Sequence, residues 1–228
     1  MPLFLCAFPF AAAAPRVINH PPIPLKADAA AFAPSRTGCK GESGSFECKK
    51  GPIAELGCDS ITLDDFLGVL PSPTTHCWKY NSGPMLPAGE YIHGPRGLIQ
   101  VYERLVVLEN GRYRLIKNMA DFYATAKPVT SEAQALSMAI AVTGEPPAHG
   151  LKIDRSFRYF ASTIEDTYVT RGRNDDFIVH NLRSYRQFGC GPHTTSLLTV
   201  RVPRVGAVSE ISTVKAFEDP KQDGLCVD

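Results

Sequence analysis

The segment Ser131–Val142 reads SEAQALSMAIAV, and Gly144, Pro146 and Pro147 follow directly. Ser131 is placed as an N-cap with Gln134 at the capping-box spacing, and the Gly and Pro residues close the helix. Leu136, Ala139, Ile140 and Thr143 share one face, but Ala135, Met138 and Val142 make the remainder apolar as well. A helix apolar nearly all round belongs inside a domain.

On its N-terminal side lies Leu98–Leu108, LIQVYERLVVL, then Glu109-Asn110-Gly111-Arg112, then Tyr113–Ile116, YRLI. Two β-branched and aromatic runs around an Asn-Gly pair predict a hairpin, because both turn residues must take positive φ. On its C-terminal side four strand-like runs follow, over 155–169, 177–188, 196–203 and 208–217. Short connections between such runs imply an antiparallel meander. The expected fold class is therefore α+β: an antiparallel β-meander packed on one buried helix, preceded by a β-hairpin and a disulfide-rich, loop-rich N-terminal segment.

Further out the texture changes. Residues 37–97 hold Cys39, Cys48, Cys58 and Cys77 among many Gly and Pro residues, a segment expected to lean on disulfides. One short helix is expected there, over Leu63–Leu70, with Thr62 as cap and Pro71 as stop. Residues 15–36 read as an Ala/Pro-rich linker, and 1–14 as a signal peptide whose basic start is missing, with Ala12 and Ala14 as an A-x-A cleavage site. The expected organisation is thus 1–14 signal, 15–36 linker, 37–97 cysteine-rich loops and 98–228 α+β domain.

Cysteine arithmetic supports export. Of seven cysteines, loss of Cys6 with the signal leaves six, Cys39, Cys48, Cys58, Cys77, Cys190 and Cys226, the even number a disulfide framework requires. The four early cysteines are expected to pair among themselves and Cys190 with Cys226. A secreted or periplasmic location follows. With 44% hydrophobic and 21% charged residues and a net charge of +1, the chain has the composition of a soluble globular protein. That balance argues against nucleic acid as a partner, and no later segment is long and apolar enough to span a membrane.

No nucleophile elbow, metalloprotease helix, P-loop or dinucleotide fingerprint is present, and no cofactor or metal is implied. Cys190-Gly191-Pro192-His193 together with His76-Cys77 offers the ligand types of a structural zinc site, but His76 and Cys77 are adjacent, so only half of the spacing fits. His76 and His193 are the candidate catalytic residues. Glu165-Asp166 and Asp175-Asp176 could do acid–base work if they converged, although neighbours on a strand point to opposite faces. Between Leu151 and Arg204 there are nine Lys and Arg residues against five Asp and Glu. Arg183, Tyr185, Arg186 and Arg201 are the candidate binding residues of such a basic face. His93 sits in a Gly/Pro loop, and Asp219, Asp223 and Gly224 hint at a calcium turn without its alternating acids.

The sequence supports an exported, disulfide-stabilised, non-catalytic module that binds or inhibits another macromolecule, an envelope or extracellular protein. The alternative is an exported hydrolase or metal-dependent enzyme built on the Cys/His site. Nothing in the sequence sets an oligomeric state.

Overall fold

The computed structural model describes residues 14–95, 100–185, 189–224 and 226–227, without the side chains of 189, 190 and 227. Residues 1–13, which hold Cys6 and most of the expected signal segment, and Arg186 lie outside the described residues.

The chain enters through β1 (Arg16–Ile18) and one helical turn, α1 (Pro34–Thr37). Between them Ala31 and Phe32 are buried, so the segment expected as a linker is tied to the body by an aromatic anchor. Strands β2 (Lys40–Glu42), β3 (Ser45–Glu47), β4 (Ser60–Thr62), β5 (Thr74–Tyr80), β6 (Val101–Glu109) and β7 (Arg112–Ile116) then form one antiparallel sheet in sequence order. A single turn, α2 (Pro52–Glu55), interrupts them. The expected hairpin is β6–β7, with Asn110 at φ 50 and Gly111 at φ 76, as a tight turn between twisted strands demands.

The cysteine-rich segment is less loop-like than its composition suggested, since it supplies four strands. Disulfides Cys39–Cys48 and Cys58–Cys77 staple them, and all four half-cystines are buried with Phe32, Ile53, Ile61 and Val106. Two such bonds, with no helix among the described residues long and apolar enough to cross a membrane, fit an extracellular or periplasmic protein. The helix expected over Leu63–Leu70 is only a 3-10 turn, Asp65–Leu67, capped by Asp64. Thr62 is not free to cap it. It ends β4, with its hydroxyl oxygen accepting from Trp78 Nε1 at 2.8 Å and its carbonyl accepting from Thr75 Oγ1 at 2.7 Å.

Two helices follow. The first, α3 (Met119–Thr125), escaped the sequence reading and is capped by Asn118 Oδ1, which accepts from Asp121 N at 2.9 Å. The second, α4 (Glu132–Thr143), begins at Ser131, whose Oγ accepts from Gln134 N at 3.2 Å, and ends at Gly144, φ 72. Gln134 Oε1 turns back to Thr130 N at 2.7 Å, one residue earlier than a standard capping box. Residues Ala135 to Ala141 are all buried, and the one hydroxyl among them, on Ser137, donates to Phe66 O.

Beyond α4 come β8 (Arg158–Tyr159), β9 (Thr163–Glu165), β10 (Tyr168–Arg171), β11 (Phe177–Tyr185), β12 (Gly189–Cys190), β13 (Thr194–Val202), β14 (Ser209–Glu218) and β15 (Cys226–Val227). The run expected as one strand over 155–169 is thus broken into three short ones. Asp166 causes the break after β9. Its buried carboxylate accepts from Gly150 N, Leu151 N, Asn19 Nδ2 and His20 N and so cannot lie on a regular strand face. The main sheet here has the order β10-β11-β13-β14-β8 and is antiparallel throughout, while β1 pairs in parallel with β9.

Helix α4 contacts β10, β11 and β13, and one apolar cluster runs from Leu105, Val107 and Ile116 through α4 to Phe177, Val179, Leu198 and Val200. The protein is therefore mixed α+β, mostly antiparallel, with few helices. Burying Leu136 fully in that cluster makes its truncation to Ala worth about 2–5 kcal/mol.

Candidate functional site

His76, on β5, is held from both sides. Its Nδ1 lies 2.7 Å from Glu103 Oε1 on β6, and its Nε2 2.7 Å from Asp64 Oδ2 in the turn after β4. Burial pulls its pKa down, but the two carboxylate bonds outweigh that and lift it to about 9. At neutral pH it is a fixed imidazolium with no lone pair to act as a base. Cys77, its neighbour, is bonded to Cys58 and offers no thiolate. Among the described residues no group of three or more His, Cys, Asp or Glu could hold a metal ion.

Cys190 stands opposite Cys226 in the β12–β15 pair, and Cys226 is disulfide-bonded, while the side chain of Cys190 lies outside the described residues. His193 does not approach His76. It lines a pocket of about 170 Å³ at the end of the C-terminal sheet, together with Tyr185, Thr195, Phe217, Asp219 and Gln222. Two residues singled out for unrelated reasons, His193 and Tyr185, thus share one pocket.

Of the candidate basic residues, Arg183 and Arg201 do not share a face. Arg183 pairs with Ser196 in the sheet and Arg201 with Ile178, which places the two arginines on opposite faces. Both are neutralised within the fold. Arg183 bonds Glu145 at 3.2 Å and Glu210 Oε2 at 2.9 Å, and Arg201 bonds Asp176 at 2.6 Å. The carboxylate pairs do not converge either. Asp166 is the loop anchor described above, and Asn174 and Asp175, at φ 59 and 60, make the turn before β11. His93 donates from Nε2 to Ala141 O at 2.8 Å and fastens its loop to α4. Asp219 caps the 3-10 turn Pro220–Gln222, accepting from Lys221 N at 3.0 Å.

Glu165 belongs to a group the sequence did not show. His20 Nε2 lies 2.8 Å from Glu165 Oε2, and the His20 ring stacks on Tyr168 at 4.2 Å, which stacks on His180 at 4.3 Å. Burial lowers the His180 pKa and raises that of Tyr168, with the Glu165 charge adding to the latter. The stack fastens the entry strand to the outer face of the C-terminal sheet.

The most open feature is β14. Its edge partner, β8, covers only Phe217 and Glu218, and Phe160 N and Ala161 N add bonds to Ala216 O. From Ser209 to Lys215 no described backbone group pairs with that edge, and every one of these seven residues is exposed. Register shifts against β13 fall between Thr195 and Ser196 and between Thr199 and Val200, so Ile211 is an extra, bulged residue. Ile211 is 56% and Val214 54% exposed, and Tyr185 and Val205, 59% and 62% exposed, lie on the same sheet and on the turn into β14.

Comparison of the chain with family models, with curated proteins and with solved structures finds no match.

Proposed function

We propose that this protein is an exported, non-catalytic module that binds another protein by accepting an extended segment of it along β14. The reading takes the C-terminal half as an antiparallel meander packed on α4, which holds β11 and β13 rigid and leaves β14 as the presenting strand. One observation carries it: over the seven residues Ser209 to Lys215 the outer edge of β14 has no partner among the described residues, and this run includes the exposed Ile211 and Val214. The occupant is a polypeptide because alternating N–H and C=O groups along an open edge are met in register only by another extended backbone. Ile211 and Val214 call for apolar side chains in the incoming strand. The bulges and the positive Lys215, which pairs with Glu218, keep the edge from stacking indiscriminately on flat strands.

Neither His76, spent as a fixed charge, nor His93, spent as a loop tie, favours catalysis. The test is selection of displayed random peptides on the folded protein, followed by affinity measurement on wild type and on Val214→Lys. Selected peptides should be rich in alternating apolar residues and should bind the variant at least about tenfold more weakly, the effect of about 1.4 kcal/mol. Peptides that bind both proteins equally would place recognition elsewhere.

A further inference from the structure

The pocket that holds His193 has a hydrogen-bond chain with a fixed direction. Asp219 Oδ2 accepts from Gln222 Nε2 at 2.9 Å, which orients the amide so that its Oε1 faces His193 Nδ1 at 3.1 Å. An amide oxygen can only accept, so Nδ1 carries the proton, and in the neutral ring Nε2 carries the lone pair. That Nε2 is buried and has no partner. Asp223 Oδ1, one residue beyond Gln222, is likewise buried and unpartnered, so two of the three such atoms among the described residues gather at this end of the sheet. Buried polar atoms are nearly always bonded, and an orphan acceptor in a pocket wall marks the place of a missing donor.

The rest of the lining says what kind of donor. The Phe217 ring, itself stacked on Phe157 at 5.4 Å, gives an apolar wall, and Tyr185 stands at the rim, 59% exposed. Thr195, Asp219 and Gln222 supply a hydroxyl, a carboxylate and an amide. No lysine or arginine lines the pocket among the described residues. At about 170 Å³ it is smaller than the roughly 300–1,000 Å³ of drug-sized sites. A small ring with hydroxyls around its edge and C–H bonds on its face meets each of these conditions.

We infer that this pocket is a carbohydrate subsite, taking one pyranose unit whose hydroxyl donates to His193 Nε2 while its C–H face packs on Phe217 and Tyr185. Because Nε2 is closed off in the unliganded pocket, the hydroxyl reaches it only when the lining opens. The site lies at the Phe217 end of β14, beyond the open run 209–215, and does not depend on that run being occupied.

The experiment is ligand-observed saturation-transfer NMR and calorimetry with the methyl glycosides of glucose, N-acetylglucosamine and galactose, and with short β-1,4-linked oligomers of the first two. Saturable binding of at least one is expected near about 1 mM, with a loss of tenfold or more in His193→Phe and a smaller loss in Tyr185→Ala, a surface change that leaves packing intact. Affinity rising with oligomer length would identify a polymer as the source, and equal affinity a free sugar. Val214→Lys should bind the sugars as wild type does, which separates this site from the peptide edge. Absence of saturable binding to all the probes below about 20 mM, or binding untouched by both pocket variants, would overturn the assignment.

Discussion

The two sheets of this protein are finished in opposite ways. The N-terminal sheet is closed by covalent and ionic fasteners: two disulfides between short strands, and an imidazolium caged by Asp64 and Glu103. The C-terminal sheet has longer strands, nine residues in β11 and β13 and ten in β14, held by ladder pairing, by helix α4 and by surface ion pairs such as Arg183–Glu210 and Arg201–Asp176, while the disulfide-bonded Cys226 lies in the separate β12–β15 pair. Strands of three residues bury too little to persist alone and must be stapled. Long strands depend less on staples, and the outer edge of one can be left open. The N-terminal sheet is thus fastened along short strands, whereas the C-terminal sheet leaves the outer edge of β14 without a described partner from 209 to 215, which is the edge the proposed function uses.

Substituting His76 by Leu should have the largest effect. It leaves two carboxylates facing each other without their cation, and breaking a buried ion pair in that way costs about 3–5 kcal/mol. Urea unfolding measures it, and a loss below about 1 kcal/mol would remove the cage from the list of fasteners. Replacing Cys58 and Cys77 together by Ser opens a loop with a sequence separation of 19 residues and should cost about 3 kcal/mol. Similar stability in the oxidised and reduced states would contradict the division between the sheets.

The pH dependence sharpens the same point. The folded pKa of His76, about 9, lies above its ordinary value of 6.5, so its contribution is fully present below pH 6.5 and is lost as pH rises through 9. The difference is of the order of 3 kcal/mol, and it should be absent from His76→Leu when stability is compared at both ends of that range. The smallest effect is expected at the open edge. Val214→Lys should change stability by no more than about 0.5 kcal/mol, because the side chain is already in water. A larger loss would mean that Val214 is packed and that β14 is not a free surface.

Local signals made part of this legible in the sequence. Ser131, Gln134 and Gly144 announced α4, and Asn110-Gly111 announced the β6–β7 hairpin, because caps and tight turns are decided within a few residues. Strands β2, β3 and β4 were hidden, since three residues carry no periodicity and depend on partners and disulfides elsewhere. The helix α3 was hidden because Asn118 and a run of only seven residues give a weak pattern. His76 was noticed for its neighbour Cys77, whereas its real partners are Asp64 and Glu103, the latter 27 residues away. His193 and Tyr185 were noticed separately, but Gln222, 29 residues from His193, fixes the tautomer and could not be anticipated. That the outer edge of β14 has no described neighbour from 209 to 215 is a property of the whole sheet, so no reading of those seven residues could reveal it.

The most direct test of the account is amide hydrogen exchange across the free protein and its complex with a selected peptide. Slow exchange is expected over 74–80 in both states, and within 209–215 the amides that point away from β13 should exchange fast in the free protein and slow when the peptide is bound. Protection of those outward amides in the free monomer, or peptide-induced protection confined to other residues, would contradict the edge as the binding surface.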